Sequence, residues 1–197
     1  MLVVSAPSGT GKSTLTRRLV KEFPELTFSV SCTTRAIRPG EVDGRDYHFL
    51  SVEDFKRRME SGGFAEWAEV YGNYYGTPKK ETLDLLNAGR DVLFDIDVQG
   101  AEQMKRNMSG GAYAFIFPPS LDALRRRLQG RGTDESGTVE KRLEIAPLEI
   151  AKSSLFDYWI VNDELDAAYR DLRRVYLAER LRPACRPDLP DQVLGKT

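Results

Sequence analysis

The chain has 197 residues, 41% of them hydrophobic and 30% charged, with a formal net charge of −1 from 29 basic and 30 acidic side chains. That size suits one α/β unit carrying small insertions, and the mixture is able to fill a core. A near-neutral balance excludes a protein whose main work is coating nucleic acid, while leaving room for a local basic pocket. In chain order, short apolar runs at 2–5 and 27–31 predict strands flanking a helix over 12–21. Residues 33–89 break the rhythm with aromatics, glycines and charges, and read as an inserted mixed-β subdomain closed by a helix at 79–86. Strands follow at 92–95 and 113–117, and a helix at 120–129. The stretch 130–142, rich in Gly and charge, reads as a mobile surface loop running into a helix, which Pro147 is expected to break or kink near residue 146. A strand at 158–161 and a helix at 165–181 complete the pattern. Asn162 and Asp163 serve as the capping pair, and Leu165, Ala168, Tyr169, Leu172 and Tyr176 share the helix's inner face. The proline-rich tail from Arg182 reads as an irregular appendage. Alternating strands and helices imply a parallel sheet flanked by helices.

Cys32 and Cys185 lie too far apart in sequence to suggest a disulfide framework, and His48, the single histidine, reads as a surface or packing residue rather than a ligand. The apolar start at 2–4 is too short for a signal peptide, and no run approaches the ~20 apolar residues of a membrane span. A cytoplasmic protein without nucleic-acid or membrane partners is expected; oligomeric state is not legible.

The sharpest motif is Ala6-Pro7-Ser8-Gly9-Thr10-Gly11-Lys12-Ser13, directly after the first strand. Apart from Ala6 at the usual first glycine, it fits the phosphate-binding pattern G-x-x-x-x-G-K-[ST]. Glycines at 9 and 11 let consecutive amides turn toward a polyphosphate, and the following helix adds its positive end. Lys12 is placed to reach the β and γ phosphates and Ser13 to ligate Mg2+. The plain alternative is a glycine turn, but the strand–loop–helix context argues for a nucleotide site. The loop alone does not separate kinases from GTPases, ATPases or motor domains.

A second substrate must be read elsewhere. Arg35 and Arg38 lie three apart and are able to grip one anion, with Tyr47 adding a hydroxyl. Composition alone favours a solvated charged loop for these arginines and Arg45. Further on, the stretches 64–69 and 72–78 bring one carboxylate, Glu66 or Glu69, into an aromatic setting. A buried carboxylate there accepts two hydrogen bonds from N1–H and the 2-amino group of guanine, donors that adenine lacks. Asp95 and Asp97 end an apolar strand. One suits an indirect part in the Mg2+ site, and a helix cap or strand-end turn is the plain alternative.

Taken together, the blocks resemble the guanylate kinase family. T-T-R-x-x-R-x-G-E-x-x-G-x-D-Y-x-F stands at 33–49, F-x-E-W at 64–67 and G-N-Y-Y-G-T at 72–77. D-I-D-V-Q-G follows at 95–100, G-R-G-T at 130–133, K-R-L at 141–143 and I-V-N-D at 160–163. The resemblance spans 2 to about 180 and implies a P-loop NTPase-type sheet with an inserted NMP-binding subdomain and a lid. Its parts would be a core of 1–32, 90–129 and 146–181, the insertion at 33–89, a lid at 130–145 and a tail at 182–197. It implies that Ser31, Glu66, Thr77 and Asp97 hold the base of GMP, that Arg35, Arg38, Tyr47 and Tyr75 hold its phosphate, and that Glu41 belongs to the same pocket. Arg131 and Arg142 would close over the ATP phosphates and Asn162 would lie near the adenine; of the two strand-end carboxylates, Asp95 is the one expected to assist Mg2+ and Asp97 to serve the acceptor side. The implied activity is ATP-dependent phosphorylation of GMP, and of dGMP, with Lys12, Arg38, Arg131 and Arg142 neutralising charge and no general base. Two rivals are a non-catalytic binding module of the same fold, which typically loses the loop lysine kept here, and a kinase of AMP.

Overall fold

The computed structural model describes residues 1–70, 72–130 and 136–196, and the side chains of all of these except 136–138. The first half holds β1 (Leu2–Ser5), α1 (Lys12–Glu22), β2 (Leu26–Phe28), β3 (Cys32–Thr33), β4 (His48–Phe49) and α2 (Val52–Glu60). Next come β5 (Phe64–Val70), β6 (Asn73–Pro78), α3 (Lys79–Asn87), β7 (Asp91–Asp95), α4 (Val98–Asn107) and β8 (Ala112–Phe117). The chain continues through α5 (Leu121–Gln129), α6 (Ser136–Ala151), a 3-10 turn at Ser153–Leu155, β9 (Tyr158–Val161) and α7 (Leu165–Glu179). It closes with a 3-10 turn at Pro183–Cys185 and the short α8 (Leu189–Val193).

One sheet runs β2-β7-β1-β8-β9 with every pairing parallel. Strands buried on both faces read as near-continuous apolar runs, and so do the buried stretches of β1, β7 and β8, with polar Ser5, Asp91 and Asp95 standing at the strand ends. Leu2, Val4, Leu93, Ala112, Ala114 and Ile116 face one layer with Leu15, Leu19, Ala168, Leu172 and Tyr176 of α1 and α7. The alternate residues Val3, Val92, Phe94, Tyr113 and Phe115 meet Val98, Ala101 and Met104 of α4 on the other. The period of two along each strand thus supplies both cores at once. Among the described residues, no helix is long and apolar enough to cross a membrane.

A second sheet, β4-β3-β6-β5, is mixed: β3 pairs parallel with β4 and antiparallel with β6, and β5 and β6 form a hairpin. Its small core joins Cys32, Phe55 and Phe64, with the Phe55 and Phe64 rings stacked at 4.4 Å. Phe55 comes from α2, capped by Ser51 accepting from the Asp54 amide and bearing Glu53 and Asp54 in its first turn.

Several expectations change. The strand expected at 27–31 stops at Phe28, and the chain crosses between sheets over Ser29, Val30 and Ser31 before β3 begins. Polar Ser29 and Ser31 suit that crossing because they line an open cleft rather than a sheet interior. Helices α2 and α4 were not expected. Pro147 neither breaks nor ends α6, which continues to Ala151. Packing of Val139, Leu143 and Ala146 against Leu124 and Leu128 holds the helix across the position where proline cannot donate a hydrogen bond. Helix starts before the expected point too, since 136–142 are helical; residues 131–135, the rest of the expected loop, lie outside the described residues. The residue capping α7 is Glu164 without a side-chain hydrogen bond, not the pair Asn162 and Asp163. The tail is less irregular than expected, containing a 3-10 turn and α8, both exposed.

Candidate active site

The carboxyl ends of the parallel strands open onto one cleft, where ligands of such sheets bind. β1 delivers the loop 6–13, whose lining with Asp95, Asp97, Arg142 and Glu149 encloses about 540 Å³. Gly9 and Gly11 have φ of 90° and 97°, conformations that side chains resist. Space forbids side chains there as well: a Cβ on Gly11 would sit 2.5 Å from Asn162 Nδ2, and one on Gly9 2.6 Å from a Leu128 methyl. Gly11 is also the N-cap of α1 and offers no capping side chain, which leaves the helix start without the side-chain cap that would compete with an anion. Thr10 is fully buried and its hydroxyl donates to the Pro7 carbonyl at 2.7 Å, closing the loop on itself.

Lys12 leaves α1 toward the strand ends. Its Nζ donates to the Ile96 carbonyl at 2.8 Å and pairs with Asp95 Oδ1 at 2.6 Å. The other Asp95 oxygen accepts from the Thr16 hydroxyl at 3.2 Å, and the Ser5 hydroxyl reaches the Ile96 carbonyl at 2.7 Å. The loop lysine is therefore tied to the β7 end through two contacts. Ser13 and Asp95 border the same space. Among the described residues, no group of three or more His, Cys, Asp or Glu is arranged to hold a metal ion by itself. The hard oxygens of Ser13 and Asp95 fit a Mg2+ ion that takes its remaining ligands from phosphate and water.

Beside this space a second one, of about 500 Å³, is lined by Ser31, Arg35, Arg38, Glu41, Arg45, Tyr47 and Tyr75. Arg35 pairs with Glu41 at 2.7 Å, and the other Glu41 oxygen accepts from the Arg38 amide at 2.8 Å. These bonds hold the Glu41 carboxyl below the usual carboxylate range and raise Arg35 further. The guanidinium lies 5.4 Å from the Tyr47 ring centre, and Tyr47 meets Tyr75 edge-on at 6.1 Å. Arg38 is exposed at the rim.

Deeper in, Glu66, Asp97, Ser31, Tyr47 and Tyr75 line one recess with Lys12. Glu66 is 5% exposed, and its Oε1 accepts from the Thr77 hydroxyl at 2.6 Å. Burial pushes its carboxyl up to about 7, reinforced by Asp97 and opposed by Thr77. Asp97 caps α4, accepting from the Gly100 amide at 2.7 Å.

Asn162 is buried at the end of β9, its amide donating to the Thr10 carbonyl at 2.7 Å. Arg127, which the sequence did not single out, donates to the Asn162 carbonyl at 2.8 Å and the Asp163 carbonyl at 3.1 Å. It thereby braces the strand end beside the loop. Glu149 of α6 was missed as well; it borders the cleft opposite the loop, and burial with Asp97 nearby raises its carboxyl to about 7. Neither stands in a motif; only spacing along an assigned α6, with Arg142 and Glu149 seven apart, offered a signal for Glu149. Of the residues singled out from sequence, Ala6 to Ser13, Ser31, Arg35, Arg38, Glu41, Tyr47, Glu66, Tyr75, Asp95, Asp97 and Arg142 border these adjoining spaces. Thr77 reaches them through Glu66, and Asn162 lies at the flank of the loop. Arg131 lies outside the described residues.

A family model described as guanylate kinase matches residues 1–179. The chain is 58% identical over 194 residues to a guanylate kinase of Nitratidesulfovibrio vulgaris, covering 98% of this chain and 94% of the relative. It is 50% identical to a guanylate kinase of Caulobacter vibrioides, covering 98% and 91%. Among solved structures, the guanylate kinase of Anaplasma phagocytophilum superposes with a TM-score of 0.75 at 36% identity, covering 94% of this chain and 88% of that one.

Proposed function

Because the chain belongs to the guanylate kinase family of nucleoside-monophosphate kinases, we propose that it transfers the γ-phosphoryl of ATP to the phosphate of GMP, and of dGMP, giving ADP and a guanosine diphosphate. The observation that carries the reading is the adjacency of two unlike recesses. A glycine loop with a lysine borders both an arginine-lined space and an adjoining recess that holds a buried carboxyl.

The roles follow from charge and geometry. Loop amides from 6–13 and Lys12 hold the ATP phosphates, with Asn162 flanking the adenine end. Arg35, Arg38, Tyr47 and Tyr75 hold the GMP phosphate, and Glu41 keeps Arg35 aimed by pairing with it. Ser31, Glu66, Thr77 and Asp97 hold the base, and Glu66 selects guanine because adenine would leave its buried oxygens unpaired. Ser13 and Asp95 would hold Mg2+, which would neutralise phosphate charge. The acceptor oxygen is already anionic, so no general base is required, and catalysis rests on positioning with charge neutralisation by Lys12, Arg38, Arg131 and Arg142. Residues 33–89 act as the NMP-binding part and 130–145 as the lid, whose closure excludes water. The test is Lys12→Ala: turnover of ATP and GMP should fall about a hundredfold or more, with the melting temperature little changed. Near-normal turnover would remove Lys12 from the reaction.

A further inference from the structure

Gly100 stands in the first turn of α4, where nothing about the backbone asks for glycine: its φ is not positive and no turn forms there. A helical glycine costs about 1 kcal/mol relative to alanine, so packing must explain it. A Cβ on Gly100 would lie 2.7 Å from Glu66 Oε2, 3.2 Å from Glu66 Cδ and 3.3 Å from Asp97 Oδ1. The first of these is closer than real carbon atoms approach oxygen. Gly100 also gives its amide to Asp97 at 2.7 Å. Two carboxyl groups that border the base recess thus converge on the bare face of one residue. The far Glu66 oxygen is held by Thr77 at 2.6 Å.

We infer that Gly100 is a positioning residue for base selection: its missing side chain seats Glu66 Oε2 against the first turn of α4 while Thr77 holds Oε1. Two supports, one steric and one a hydrogen bond, fix the orientation of the carboxyl plane. A bidentate acceptor needs that plane set, because N1–H and the 2-amino group of guanine must be met at the same time. The opening turn of α4 supplies a positive dipole end near the carboxyl as well. A methyl group at position 100 would push the Glu66 carboxyl off this seat and toward the base recess it borders. The loss would fall on the base and not on the ATP side.

This inference rests on the proposed role of Glu66, so the experiment first measures the unaltered chain with GMP and AMP; no preference for GMP there would overturn that role itself. Given that preference, Gly100→Ala should raise the KM for GMP about tenfold while the KM for ATP stays within about twofold. Its preference for GMP over inosine monophosphate, which lacks the 2-amino group, should shrink. In a Glu66→Asp background, where the acid is one methylene shorter, adding Gly100→Ala should cost less than it does in the unaltered chain. An unchanged KM for GMP would overturn the inference. So would equal losses with ATP and GMP alongside a lowered melting temperature, or strict additivity with Glu66→Asp.

Discussion

The Glu66 carboxyl has a neutral hydroxyl, that of Thr77, as its side-chain hydrogen-bond donor, and it is buried with Asp97 nearby. Its usual value of 4.5 rises to about 7 in the fold, so the folded state holds this proton more tightly than the unfolded chain. The stability this adds is complete below 4.5 and is lost as pH rises through about 7. Glu66→Gln, neutral throughout, should therefore melt close to the unaltered protein near about pH 4.5 and above it at about pH 8. Thermal melts across that range decide the point; a gap that narrows as pH rises would contradict the burial argument. The same substitution should weaken GMP, since an amide presents a donor where guanine needs an acceptor. An acid among aromatics was visible in the sequence, and the F-x-E-W block at 64–67 singled out Glu66 over Glu69. Arg127 was not, because its bonds go to backbone carbonyls of a distant strand end, and no side-chain pattern announces such a brace.

Among the elements, α6 shows propensity yielding to packing. Pro147 cannot donate to the Leu143 carbonyl and its ring crowds that turn, yet the helix runs on because Val139 and Ala146 are buried against α5. Pro147→Ala should thus stabilise the fold by about 1–3 kcal/mol, raising the melting temperature by roughly 2–4 °C per kcal/mol for a chain of this size. Calorimetry showing a lower melting temperature would mean the ring is packed where alanine is not. Helix α4 escaped the sequence reading although Val98, Ala101 and Met104 repeat at helical spacing. Its cap, Asp97, follows a strand end so closely that a helix cap stood only as the alternative to a binding role, and the structure makes Asp97 that cap. Helix α2 escaped because the aromatics around it suggested sheet, while its start, Ser51 with Asp54 three residues on, is an ordinary capping pattern.

At the level of the whole molecule, alternating apolar runs and amphipathic stretches were enough to imply the parallel sheet, because both faces of each strand had to be covered. The mixed sheet was legible only as a departure from that rhythm. Its pairings join β3 to β4 and β6 across intervening chain, and β3 and β4 are two residues long, too short for periodicity to register. Residues far apart in sequence (the loop at 6–13, Arg35, Glu66, Asp97 and Arg142) converge because the chain crosses between the two sheets beside the loop and returns at β7. No local pattern encodes that convergence; the order of the motif blocks did. Whether this cleft pairs ATP with guanosine monophosphate is tested most directly by product analysis of the purified chain with Mg-ATP and either GMP or AMP. ADP and GDP should form in equal amounts with GMP, with little turnover of AMP. Preferential conversion of AMP, or release of ADP and inorganic phosphate regardless of acceptor, would contradict that pairing.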